Sequence, residues 1–277
     1  MNVAIVEMSD TDHVKANEFL NFDDSDAEFY SAFRKKKNNL FSIFSDDKLV
    51  GAAQIEEGKK AFTYVFIDPT YRCKGIGSQA LHLCELKLGN ETTEEIVTTY
   101  NTDNVAAKSF ANKSGYARKF SSTYMKYEGQ HFDIPELSIR DYRDEDYESA
   151  HEMYALAFHE MRVSTGDFPD SVIEQASDKM REFWAKTINE RLVYIKDGEI
   201  VGYARLEENE IASVSIKSEN QGQGIGRNFM KYICNKILSE GNQSVDLFCV
   251  VGNKAKNLYD SLGFKEIYTA EFASKLI

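Results

Sequence analysis

Two stretches of alternating apolar and polar residues, AFTYVFI (61–67) and EIASVSI (210–216), each lead into a glycine-rich loop and then into a helical stripe. Alternation at period two predicts strands. After the first loop, Leu81, Cys84 and Leu88 recur at i, i+3 and i+7. After the second, Met230, Ile233 and Ile237 do the same, and Cys234 adds the i+4 position where the first copy has Glu85. That spacing predicts a helix with one face on a core. Upstream of each alternating stretch lies a turn and a further strand, DDKLVGAAQIEE (46–57) and KDGEIVGYARLEE (196–208). Downstream come EEIVTTYN (94–101) and SVDLFCVV (244–251), then a short helix rich in Asn, Ala and Lys. Each helix ends at a glycine, Gly115 or Gly263, which reads as a C-terminal cap.

The order of elements is thus written twice. The starts match as well, VAIVEMSDTDH (3–13) with LSIRDYRDEDY (137–147), and the join falls in EGQHFDIPE (128–136). Two copies are too few, and too long, for a solenoid. The expectation is a duplicated α+β or α/β domain, residues 1–130 and 136–277, each a mixed sheet flanked by helices. From Ile5 to Gly51 is 46 residues and from Ile139 to Gly202 is 63. The second copy therefore carries about 17 more in its first helical region, the length from which a lid or pocket wall is built.

Composition narrows the partners. The 277 residues are 42% hydrophobic and 28% charged, in the range of a globular protein. The net charge of −12 argues against nucleic acid and favours a cationic partner. One basic run, Arg34–Lys37, reads as a solvated helix end behind the acidic DDSDAE. No apolar stretch is long enough to span a membrane, and the N-terminus has no signal-peptide pattern. Four widely spaced cysteines without a CxxC pair fit reduced thiols in a cytoplasm. HEMY and HEMR are not HExxH, so no metal site is expected, and no GxSxG elbow occurs.

The loops carry the chemistry. A glycine loop between a strand and a helix N-terminus is a phosphate site, because bare backbone N–H groups can approach the anion. A Walker loop needs a GK[ST] ending that neither copy has. A Rossmann fingerprint is met weakly by Gly75–Gly77–Ala80 and fails at Arg227 in the second copy. The pattern [QR]xxGxG fits both: Arg72 to Gly77, and Gln221–Gly222–Gln223–Gly224–Ile225–Gly226. Preceded by VFIDPTY and VSIKSEN, and followed by an N…A…(L)Y…GF helix, it resembles the GNAT acetyltransferase superfamily, once per half.

The resemblance implies a mixed, mostly antiparallel sheet in each half and acetyl-CoA as co-substrate. Loop residues from Gln221 to Arg227 would hold the pyrophosphate on backbone amides. Val214, Ser215 and Ile216 would hydrogen-bond the pantetheine arm. The family tyrosine, which protonates the departing thiolate, falls on Tyr259. The asparagine slot holds Gly252, with Asn253 one place on. In the first copy Asn104 and Ala107 are in place, but the tyrosine slot holds Ala111 after Phe110. The second copy is therefore expected to be catalytic and the first degenerate. Glu210, beside Glu207 and Glu208, is the candidate general base, and His159–Glu160 lies in the extended helical region. The expected activity is direct N-acetylation of a small-molecule or peptide amine by a monomer with internal pseudo-symmetry, or a weak homodimer. A non-catalytic acyl-CoA-binding protein stays open as the alternative.

Overall fold

The structure is a computed structural model that describes residues 2–22, Phe29, Phe33 and 39–277; the basic run Arg34–Lys37 lies outside the described residues. Along the first half run β1 (Val3–Glu7), α1 (Asp10–Phe19), β2 (Leu40–Ser45), β3 (Lys48–Glu56), β4 (Lys60–Ile67), α2 (Ile76–Leu88), β5 (Glu95–Asn101), α3 (Val105–Lys113) and β6 (Ala117–Tyr127). The second half runs through β7 (Ile139–Asp141), α4 (Tyr147–Thr165), α5 (Asp178–Lys186), β8 (Arg191–Lys196), β9 (Glu199–Glu207), β10 (Glu210–Ile216), α6 (Ile225–Ser239), β11 (Val245–Val250), α7 (Ala255–Leu262) and β12 (Lys265–Leu276).

Every stretch expected to be a strand forms one. The two helical stripes point inward: Leu81, Cys84 and Leu88 are buried on α2, and Met230, Ile233, Cys234 and Ile237 on α6. Both glycines placed as C-terminal caps take positive φ, +90° at Gly115 and +97° at Gly263. Burial pushes the thiols of Cys84 and Cys249 up to about 11, so these cysteines act as small apolar core residues. Among the described residues no helix is long and apolar enough to cross a membrane.

Two compact units result, Met1–Ser121 with Thr269–Ile277, and Ser122–Tyr268. In the first, β1, β2, β3, β4 and β5 lie in that order, and residues 270–276 of β12 run beside β5. In the second, β7, β8, β9, β10 and β11 lie in order, and residues 122–127 of β6 run beside β11. Each sheet is antiparallel except at one place, β4 with β5 and β10 with β11, which are parallel. The last strand of each unit thus comes from the other half of the sequence, whereas the repeat read from the sequence divides the chain between residues 130 and 136.

Polar contacts tie the C-terminal strand into the first unit. The Tyr100 hydroxyl donates to Glu271 at 2.6 Å, and Lys108 pairs with the same buried carboxylate at 3.1 Å. Lys275 donates to Glu85 at 2.9 Å. Deleting residues 269–277 should therefore destabilise the first unit, because it removes the whole ladder beside β5 and leaves the buried Tyr100 hydroxyl without its carboxylate. Urea unfolding followed by circular dichroism reads this directly. An unchanged midpoint would show that the strand is dispensable.

Candidate active site

The parallel strands stay together for only a few rungs. Between β10 and β11, Glu210 pairs with Asp246 and Ile211 with Leu247, and the ladder stops there. Residues 212–216 thus have no parallel partner, and the backbone groups of Val214, Ser215 and Ile216 on that side are open to a ligand. On the other side the register between β10 and β9 slips between Ile211 and Ser213, leaving Ala212 out of the ladder. Bulges of this kind re-aim a strand and gather at active sites. In the first unit β4 and β3 pair with no slip.

The loop closes the gap. After a short turn at Ser218–Asn220, the Gln221 amide donates back to the Ile216 carbonyl at 3.1 Å. Arg72 does the same to Ile67 at 2.8 Å in the first unit. Gly222 and Gly224 then take φ of +73° and +80°, left-handed values that glycine adopts without strain. Gly224 caps α6 without any side-chain hydrogen bond. The first N–H groups of the helix lack intrahelical partners and carry the positive end of its dipole. In the first unit Gly75 repeats this at +79°, but the place of Gly222 is held by Cys73 at +60°. A non-glycine residue there costs roughly 1–2 kcal/mol.

A cavity of about 720 Å3 opens where these parts meet. It is lined by Val214, Ser215, Ile216, Gln221, Gly222, Gly224, Gly226, Arg227, Asn253 and Tyr259, all singled out from the sequence. Two expected loop residues turn away. Ile225 packs into the core, and the Gln223 amide donates to the Glu219 carbonyl at 2.9 Å. The Asn253 side chain accepts from the Ala255 N–H at 2.9 Å, at the first residue of α7. Tyr259 is almost wholly buried on α7, and burial, with a smaller push from Cys249, raises its phenol well above the ordinary value of 10. The hydroxyl stays a donor at neutral pH.

Glu210 is not among the lining residues. It stands at the other end of β10, about 20 Å of extended strand from Ile216. Glu160 is the carboxylate in the lining, and it accepts the Ser218 hydroxyl at 2.5 Å. Phe158 of α4 also lines the cavity, whereas His159 is held by Ser171 at 3.1 Å and Arg162 lies over the rings of Phe158 and Phe168. Met161 and Ser164 in the wall belong to the extended helical region, whereas sequence reasoning missed Met230 and Lys254 as wall residues. Lys254 follows Asn253 directly, and its counterpart in the first unit, Ala106, lines a cavity as well.

The first unit has a smaller cavity of about 310 Å3 at the corresponding loop, with Arg72, Cys73, Gly75, Asn104 and Phe110 in its wall. Among the described residues no group of three His, Cys, Asp or Glu could hold a metal ion.

Comparison with known proteins agrees with this geometry. The family model for an acetyltransferase (GNAT) domain matches residues 7–130 and again 142–277. A GCN5-related N-acetyltransferase from Sphaerobacter thermophilus superposes with a TM-score of 0.72 at 15% identity, over 99% of this chain and 95% of that one. A tandem GNAT protein from the clavulanic acid biosynthesis pathway gives 0.63 at 14% identity, over 99% and 98%. A GNAT-family acetyltransferase from Colwellia psychrerythraea gives 0.55 at 12%, over 98% and 100%. No curated protein matches the chain by sequence.

Tyr259 shares its raised phenol with Tyr203, Tyr100, Tyr116 and Tyr124, each shifted chiefly by burial. A raised folded pKa means that the native state holds the proton longer than the unfolded one. The stability this represents is fully present below about pH 10, the ordinary phenol value, and is lost as pH rises from there through the folded values. Denaturation midpoints should fall progressively above that pH, and part of the tyrosine absorbance change at alkaline pH should appear only with unfolding. Complete tyrosine ionisation near pH 10 in the folded protein would refute the burial argument.

Proposed function

Because the chain belongs to the GNAT acetyltransferase family, we propose that its second unit transfers an acetyl group from acetyl-CoA to an amine nitrogen. The observation that carries this reading is one cavity joining the uncapped start of α6, the open edge of β10 and the buried Tyr259 hydroxyl. The α6 N–H groups and the left-handed glycines suit the pyrophosphate. The β10 backbone suits the amide groups of the pantetheine arm. The neutral amine then attacks the thioester carbonyl, the C–N bond forms, the C–S bond breaks, the thiolate takes a proton from Tyr259, and the surplus proton on the new amide nitrogen leaves and restores the phenol. Before attack the amine must lose a proton. A role for Glu210 in receiving it requires a relay of water along β10, because the strand holds it far from the cavity.

The first unit is proposed to be non-catalytic. Its loop carries the strained Cys73, its matching strand has no bulge, and its α3 offers Phe110 and Ala111 in place of Leu258 and Tyr259. The protein acts in a reducing cytoplasm in this reading.

Two sets of variants test it. Tyr259→Phe keeps the ring against Phe264 and removes only the hydroxyl. Turnover should fall by roughly 10²–10⁴-fold, the range of a positioned general acid, with acetyl-CoA affinity little changed. Turnover within a fewfold of the parent, with chemistry limiting, would leave Tyr259 as a packing residue.

Gly224→Val should abolish acetyl-CoA binding in the second unit, measured by calorimetry. No atom crowds a Cβ there, so the loss comes from the left-handed φ and the filled anion site. Gly75→Val should leave turnover nearly intact. The reverse pattern in folded variants would assign the reaction to the first unit.

A further inference from the structure

We propose that the acceptor is an amine that also bears a carboxylate, received by the buried guanidinium of Arg191; this rests on the second unit being the one that transfers. The inference starts from a difference between the two copies at matching places. Gly51 pairs with Ile43 and Ile67, and Gly202 with Tyr194 and Ile216, so the rows of the two sheets match residue for residue. The first unit has the rows Leu40–Gln54–Tyr64 and Ser42–Ala52–Phe66. The second has Arg191–Arg205–Ser213 and Val193–Tyr203–Ser215. Tyr64 and Phe66 are covered by Phe29, with ring centroids 4.5 and 6.2 Å away. The fold is therefore satisfied with Leu40, Tyr64 and Phe66 where the second unit has a cation and two serines.

Arg191 is only 2% exposed. A buried charge is costly unless a counter-charge meets it. Among the described residues no carboxylate pairs with Arg191. Its Nη2 donates to the Thr187 hydroxyl at 2.7 Å, its Nη1 donates to the Tyr203 hydroxyl, and its Nε has no partner. The Trp184 ring lies 4.4 Å away. These contacts solvate the guanidinium without neutralising it. Neighbouring Arg205 holds Glu190 at 2.8 Å and Glu207 at 3.1 Å, so both carboxylates make their ion pairs there and neither pairs directly with Arg191.

The polar row leads to the cavity. Ser215 lines the cavity, is buried, and leaves its hydroxyl unpartnered. Across the ladder from Ser215 stands Tyr203, the residue that holds Arg191. A carboxylate has the planar, two-oxygen shape that the guanidinium fork takes up. An acceptor with its carboxylate at Arg191 extends its amine past Ser215 toward the thioester. Phe183 and Trp184, both on α5, close over the guanidinium, so this helix must shift to admit the group. Trp184 is the sole tryptophan of the chain and reports the arrival.

The test uses the full chain and paired probes: glycine with methylamine, phenylalanine with phenethylamine, lysine with cadaverine. Tryptophan fluorescence is titrated with each, and acetyl-CoA turnover is measured with the same set. Saturable fluorescence changes with the amino acids and none with the decarboxylated amines are expected. In Arg191→Leu, which installs the residue the first unit carries at that place, the preference in kcat/KM for the carboxylated partner should drop roughly 10–100-fold, the worth of a charged hydrogen bond. Arg191→Lys, which keeps the charge but not the fork, should keep part of it. Equal responses to both members of each pair in the parent protein would overturn the inference whether or not the variants fold. Fluorescence binding without turnover on any amine would uphold the carboxylate site and sink the transferase reading instead. Turnover on decarboxylated amines alone would do the opposite.

Discussion

The site depends on two parallel strands that are joined for two rungs and then part. A parallel ladder carried to its end would have satisfied the β10 backbone within the sheet and left no room for a ligand. Because the pairing of β10 with β11 stops at Ile211 and Leu247, the groups of residues 214–216 remain available. The rest of the unit holds this gap open. The α6 stripe, Met230, Ile233, Cys234 and Ile237, anchors the helix below it. The Gln221 bond to Ile216 fixes the loop at the strand end. The left-handed glycines let the chain turn into α6 while its first N–H groups face the opening.

The same gap occurs in the first unit, where β4 and β5 pair for three rungs. Besides the β10 bulge and the Gly222 position, what separates the copies is the set of side chains along that gap. Aromatic rings on β4 and the helical Phe29 and Phe33 build a closed cluster in the first unit. Serines on β10 leave space in the second, and the cavity there is larger, about 720 against 310 Å3. Exchanging large apolar side chains for small polar ones forfeits burial worth about 25 cal/mol per Å2. Such a loss is sustained where a ligand supplies the missing contacts.

Much of this was legible in the sequence because the signals are local. Alternation, the i, i+3, i+7 stripes and the capping glycines each report on residues close in the chain, and each element formed where they placed it. The glycine loops were legible because backbone that must adopt positive φ and approach an anion tolerates few other residues. The exchange of last strands was not legible. Residues 117–127 and 265–276 read equally well as partners of any open edge, and which edge they take is a long-range choice. Nor was Arg191 legible, because RLVYIK begins like a solvated strand end; only the packing of Trp184 and Tyr203 around it reveals a buried cation. Asn253 shows an intermediate case. Its shift by one place was visible, but its consequence, a side chain that takes the Ala255 N–H at the start of α7 beside the cavity, needed the backbone.

The net charge of −12 suggested a cationic acceptor, and the buried arginine qualifies that suggestion. Overall charge acts at long range, on encounter, and is screened within about 10 Å at ordinary salt. Specificity is decided inside the site, where the dielectric is low and one unpaired guanidinium outweighs the distant surface. An amine that also bears a carboxylate satisfies both scales. Its ammonium group suits the acidic exterior on approach, and its carboxylate suits the buried guanidinium within. Once the carboxylate is paired, the guanidinium charge is spent, so the ammonium must still shed its proton by another route before it can attack.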